Sequence, residues 1–120
     1  MRRLEFVSLQ VLDLEASKKF YTEKLGFEIM ETGNPAAVVF AYKKGDASFA
    51  IRNPIGNIED KNLGLGVSIW FTIDGTIEDL KTEFAKKNVS VVGEVTNTPF
   101  GKTIMVKDPN GYTITFLEGK

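Results

Sequence analysis

The sequence predicts an α+β fold of two βαβββ modules, each a curved four-stranded mixed sheet with a helix, together forming a cavity. Three observations carry this expectation. The order strand, helix, strand, strand, strand can be read twice along the chain; each helix opens on a capping residue directly after an alternating strand; and a stretch rich in Gly, Asn and Pro separates the two readings. The 120 residues are expected to form one domain, with module one at about 1–54, a linker at about 55–63 and module two at about 64–120.

In the first module "LEFVSLQVL" alternates, so that Val7, Leu9 and Val11 share one face and Phe6, Ser8 and Gln10 the other. "DLEASKKFYTEKLGF" then predicts an amphipathic helix: Asp13 caps it, Leu14, Phe20, Tyr21 and Leu25 form its apolar stripe, and Gly26 ends it in a left-handed conformation. "FEIMET" predicts a strand, and "AAVVFAYKKGDASFAIR" a hairpin turning near Lys44, Gly45 and Asp46.

"NPIGNIEDKNLGLG" has little periodicity and reads as a loop. Beyond it "LGVSIWFTI" alternates again, with Val67, Ile69 and Phe71 on one face and Ser68, Trp70 and Thr72 on the other. "TIEDLKTEFAKKN" predicts a second helix with Thr76 and Asp79 spaced as a capping box and Ile77, Leu80 and Phe84 turned inward. "VSVVGEV", "KTIMVK" and "YTITFLE" predict three more strands, the last two joined by a "DPNG" turn in which Pro109 and Gly111 take their preferred places. In each module the greasy face of the first strand packs on the helix. The opposite, mixed face is suited to lining a cavity.

Composition narrows the chemistry. The chain holds no Cys and no His, so disulfides, thiolate nucleophiles, zinc fingers, imidazole bases and Ser-His-Asp triads are excluded, and a hard cation on oxygen ligands is the metal chemistry that remains open. A formal charge of -1 gives no field to attract nucleic acid or an anionic membrane. The opening "MRRLEFVSLQV" has neither the apolar core of a signal peptide nor a spanning segment, and a cytoplasmic location is expected.

At "FVSLQVLDLEASKKFYTEKLGFEI" and "VKDPNGYTITFLE" the chain resembles the vicinal oxygen chelate superfamily, which includes glyoxalase I, extradiol dioxygenases and bleomycin-resistance proteins. The resemblance implies two modules that curl around a concave cavity, usually completed in a homodimer. It also implies metal ligands near the start of each module's first strand and on each module's last strand. Those positions fall on Phe6 and Ala50 in module one and on Ser68 and Thr115 in module two, none of which coordinates a divalent metal well. Glu5 and Glu118 have the wrong strand parity to substitute. The expectation is a cavity without metal or other cofactor, closest in character to the antibiotic-binding members.

The expected ligand-binding set is Phe6, Ser8, Gln10, Ser48, Ala50, Arg52, Ser68, Trp70, Thr72, Thr113 and Thr115. Trp70 can stack on a planar ligand and donate one hydrogen bond; it reads equally well as a core or interface residue. Phe6 is read as a plug that fills the cavity. Arg52, two residues beyond Ala50, can hold an anionic group at the cavity mouth, although a solvated strand end is the more common place for arginine. Ser8, Gln10, Ser48, Thr72 and Thr113 offer neutral hydrogen bonds to a ligand or to one another. The lysine pairs 18–19, 43–44 and 86–87 are solvated positions without a function.

Three functions fit these residues. The first is a metal-free small-molecule binder, in keeping with antibiotic sequestration. The second is a lyase, isomerase or dioxygenase of the glyoxalase type with a non-standard or absent metal site. The third is a dimeric scaffold whose cavity is filled by its own side chains. The partners expected are a small-molecule ligand and a second copy of the chain, with no nucleic acid and no membrane.

Overall fold

A computed structural model describes residues 1–40 and 47–119. The hairpin turn expected near Lys44, Gly45 and Asp46 lies outside them. The chain divides into two compact units, Met1–Lys61 and Asn62–Lys120. Each carries helix and a four-stranded mixed sheet, so the α+β class expected from the sequence is the one observed.

The first unit runs β1 (Phe6–Gln10), α1 (Leu14–Lys19), a π-helical turn (Phe20–Lys24), β2 (Ile29–Met30), β3 (Ala37–Phe40) and β4 (Ser48–Arg52). Its sheet order is β1-β4-β3-β2, with β1 parallel to β4 and the other pairs antiparallel. Asp13 caps α1 by accepting the Ala16 N–H at 3.1 Å. The helix was expected to run unbroken to Gly26. Instead the Leu25 N–H donates to the Phe20 carbonyl at 3.1 Å, a five-residue step that widens the last turn, and Gly26 ends it at φ 79°. Tyr21, on this turn, is buried with its ring centroid 5.3 Å from that of Phe40, and Phe40 stacks on Phe49 at 4.7 Å. Leu9, Val11 and Ile51 complete the core on this helix-facing side. The "FEIMET" strand is shorter than expected, because pairing with β3 reaches only Ile29 and Met30.

The second unit contains β5 (Ser68–Ile73), α2 (Ile77–Lys86), β6 (Thr96–Thr98), β7 (Gly101–Lys107) and β8 (Thr113–Glu118), in sheet order β5-β8-β7-β6. Here β5 runs parallel to β8. Thr76 caps α2 by accepting the Asp79 N–H at 3.1 Å. The helix buries Ile77 and Phe84 against Ile114, Phe116, Ile104 and Val106 of the strands, with Phe84 and Phe116 ring centroids 5.5 Å apart. Val67 departs from its expected place in the core, since it precedes β5 and is exposed. The strand expected over "VSVVGEV" is also displaced. Val91 makes a single bridge to Val106, Gly93 at φ +72° takes the chain out of the extended region, and the paired strand begins only at Thr96.

Candidate functional site

Strand pairing decides which side chains share a face, because residues directly opposite one another in a ladder point to the same side of the sheet. In the first unit Phe6 pairs with Ser48, Ser8 with Ala50 and Gln10 with Arg52, and β3 adds Val39 opposite Ala50 and Ala37 opposite Arg52. These residues form the face away from α1. All six residues expected from module one therefore fall on one surface.

Their polar groups are not all free for a ligand. Gln10 Oε1 accepts the Ile55 N–H at 2.8 Å and so anchors the chain beyond β4. Ser48 Oγ donates to the Phe40 carbonyl at 2.7 Å, and Arg52 Nε donates to the Asn53 carbonyl at 3.1 Å. Ala50 is 3% exposed, whereas Phe6, at the open end of the edge strand β1, is 53% exposed. Phe6 opens the edge strand β1, whose only ladder partner is β4.

In the second unit Ser68 pairs with Thr113, Trp70 with Thr115 and Thr72 with Leu117. The neighbouring β7 places Lys107 opposite Thr113, Met105 opposite Thr115 and Thr103 opposite Leu117. The face away from α2 is thus rich in hydroxyl groups around one indole. Trp70 Nε1 donates to Ser68 Oγ at 3.1 Å, and Ser68 Oγ lies 3.4 Å from Thr115 Oγ1. Phe100 meets Trp70 edge-on, with centroids 6.3 Å apart and planes at 84°. Thr115 is 1% exposed, while Trp70 is 45% exposed. The indole hydrogen bond expected to reach a ligand is already made within the protein.

The sequence reading missed Met105, Lys107, Thr103 and Phe100 on this face. The alternation of "KTIMVK" carried the signal for the first three, once its register against "YTITFLE" is known. Phe100 lies outside the strands and had none.

Two open clefts lie elsewhere. One, of about 380 Å³, lies between α1 and the β2–β3 region and is lined by Leu14, Lys18, Ile29, Met30 and Val38 among others. A second, of about 320 Å³, lies at the start of α2 beside Asp74, Asp79 and Glu83. Neither is lined by a residue of the expected ligand-binding set.

A family model described as "Glyoxalase/Bleomycin resistance protein/Dioxygenase superfamily" matches residues 3–116 of this chain. The chain belongs to that superfamily. Among curated relatives, "Glyoxalase 1" of Caenorhabditis elegans is 28% identical over 117 residues, which cover 92% of this chain and 41% of the relative. The chain therefore spans well under half the length of that protein. Its fold is similar to that of TnmS3, an antibiotic binding protein from Streptomyces sp. CB03234, at a TM-score of 0.77 and 22% identity, covering 100% of this chain and 98% of the other. It is also similar to a glyoxalase/bleomycin resistance protein from the same Streptomyces strain, at a TM-score of 0.73 and 23% identity over 96% and 99% of the two chains.

The metal positions that the resemblance to this superfamily implies can be tested against the donor groups present. Phe6 and Ala50 offer a phenyl ring and a methyl group, which donate nothing. Ser68 and Thr115 offer neutral hydroxyls that are hydrogen-bonded in the Trp70 network. Among the described residues no group of three or more acidic side chains is gathered for a cation. These residues do not fit a divalent metal, which needs carboxylates, imidazoles or thiolates as its main ligands.

Proposed function

We propose that this superfamily member binds an organic small molecule without a metal, in the manner of a sequestering protein rather than an enzyme. One observation carries the reading. At Ser68 and Thr115, where the family resemblance implies ligands, stand two hydroxyls that serve an aromatic side chain instead of a cation. A half-exposed indole beside a perpendicular phenyl ring offers apolar contact area of the kind that dominates small-molecule sites. The antibiotic-binding description of the TnmS3 fold neighbour agrees with this class and leaves the ligand open.

A homodimer in the cytoplasm is part of the proposal. Each sheet ends in edge strands, β1 and β2 in one and β5 and β6 in the other, and a second copy can cover such edges. No helix among the described residues is long and apolar enough to cross a membrane.

The second reading, an enzyme of the glyoxalase type, is favoured by the 28% identity to the Caenorhabditis elegans protein. A ligand-library screen separates the two. Trp70 is the sole tryptophan, so its emission reports binding directly. Binders are expected to be recovered unchanged after prolonged incubation, and calorimetry, which does not depend on the indole, should show Trp70→Ala weakening affinity about tenfold. Conversion of a hit to product would overturn the binding reading in favour of the enzyme.

A further inference from the structure

We infer that Ser68, backed by Thr115, is a positioning residue that locks Trp70 as a stacking platform, and that the second sheet's face therefore takes a planar conjugated anion. This rests on the binding reading above and names its ligand class.

The indole has one hydrogen-bond donor, and Ser68 Oγ receives it at 3.1 Å. A serine hydroxyl that accepts at its oxygen retains its own proton, which Thr115 Oγ1 at 3.4 Å is placed to accept. Thr115 is buried and sits directly opposite Trp70 in the ladder, so the far end of this chain of hydroxyls is fixed by the backbone of β8. Phe100 restrains the ring from a different side, its plane at 84° to the indole. A half-exposed tryptophan would otherwise sample several rotamers. Here its edge is tied and its polar atom used.

What such a residue can still offer is its π face. A ligand gains nothing by presenting a hydrogen-bond acceptor to the indole N–H, because Ser68 already occupies that donor. It gains most by presenting a flat, unsaturated ring, and a preorganised partner loses little rotamer freedom on binding. The positions of β5, β6, β7 and β8 on this face carry one cation, Lys107, and no acid. Lys107 lies in the same cross-strand row as Thr113 and Ser68, one step from the indole row. A negative substituent on the ring is favoured by that charge.

The positioning role is tested without any ligand, by time-resolved fluorescence anisotropy of the single tryptophan. The parent should depolarise only with overall tumbling. Ser68→Ala should add a sub-nanosecond component, and Ser68→Thr, which keeps the hydroxyl, should remove it again. Identical decays for the parent and Ser68→Ala would overturn the lock, whatever the protein binds. The ligand class is tested with naphthalene-2-carboxylate and its saturated analogue, decahydronaphthalene-2-carboxylate. The planar probe should bind the parent severalfold more tightly than the saturated one, and Ser68→Ala and Lys107→Gln should each weaken it severalfold. Equal affinity for the two probes would overturn the planar class, and an unchanged affinity in Lys107→Gln the anionic one. A parent that binds neither probe, with its indole shown to be rigid, would overturn the planar-anion class and leave the lock standing, while the binding reading itself falls only if the ligand-library screen yields no binder.

Discussion

The Asp108 carboxylate accepts the backbone N–H of Tyr112 at 2.8 Å, while the Tyr112 carbonyl accepts the backbone N–H of Asp108 at 3.0 Å. The same carboxylate also takes the Asn110 N–H at 2.9 Å and the Asn110 side-chain amide at 3.1 Å. This turn joins β7 to β8 and so fixes their register, which in turn places Met105 opposite Thr115 and Thr115 opposite Trp70. A slip by one residue would send Thr115 to the helix side and Ile114 to the other.

Asp108→Ala should therefore lower stability by about 1–3 kcal/mol, since the turn loses a buried carboxylate acceptor shared by two backbone N–H groups. Urea denaturation followed by circular dichroism reads this directly. A loss below about 0.5 kcal/mol would show that the turn holds without the carboxylate.

The neighbouring loop approaches the same turn at Gly64. This residue has φ +82°, and a Cβ built there would lie 2.9 Å from both Tyr112 Cα and Tyr112 Cδ1. Gly66 has φ +81° but open space around it. Gly64→Ala should cost about 1–3 kcal/mol and Gly66→Ala clearly less, because only the first adds a collision with backbone to the conformational strain. Thermal melts of the two variants make the comparison, and equal losses would refute the close approach.

Glu118 acts on the helix side of the second sheet. Its Oε1 accepts the Ile77 N–H at 2.9 Å, supplementing the Thr76 cap at the start of α2. Glu118→Ala should cost about 1 kcal/mol, the size of a helix-cap loss, while Glu118→Gln keeps an acceptor and should cost less. Chemical denaturation of both variants checks the order, and a Gln variant as unstable as Ala would contradict it.

The sequence made the helix starts and turns legible because their chemistry is local: Asp13, Thr76, Gly26 and the "DPNG" turn each act within a few residues. Face assignment in β1, β4, β5 and β8 was legible for the same reason, since parity needs only counting. The lost features depend on distant partners. The end of β6 is set by what β7 can pair with, and the π-helical turn by how Tyr21 reaches Phe40 and Phe49. Five residues at α or π spacing present almost the same apolar pattern. Parity gives a face and not a partner, so the bond that Gln10 accepts from Ile55, 45 positions away, was not legible. Glu118 was correctly placed off the Thr115 face, but its role as a cap follows only from the packing of α2 on β8.

Binding without a metal, as proposed for this superfamily member, predicts an affinity that is indifferent to added cations. The most direct measurement takes a hit from the fluorescence screen and determines its dissociation constant twice, in chelator-treated protein shown by elemental analysis to be metal-free and in the same protein with added Zn²⁺, Ni²⁺ or Mn²⁺. The donor chemistry of Phe6, Ala50, Ser68 and Thr115 predicts equal affinities and no stoichiometric metal retained after gel filtration. Binding that appears only when a metal is added, with that metal retained at one equivalent per chain or per dimer, would contradict the account.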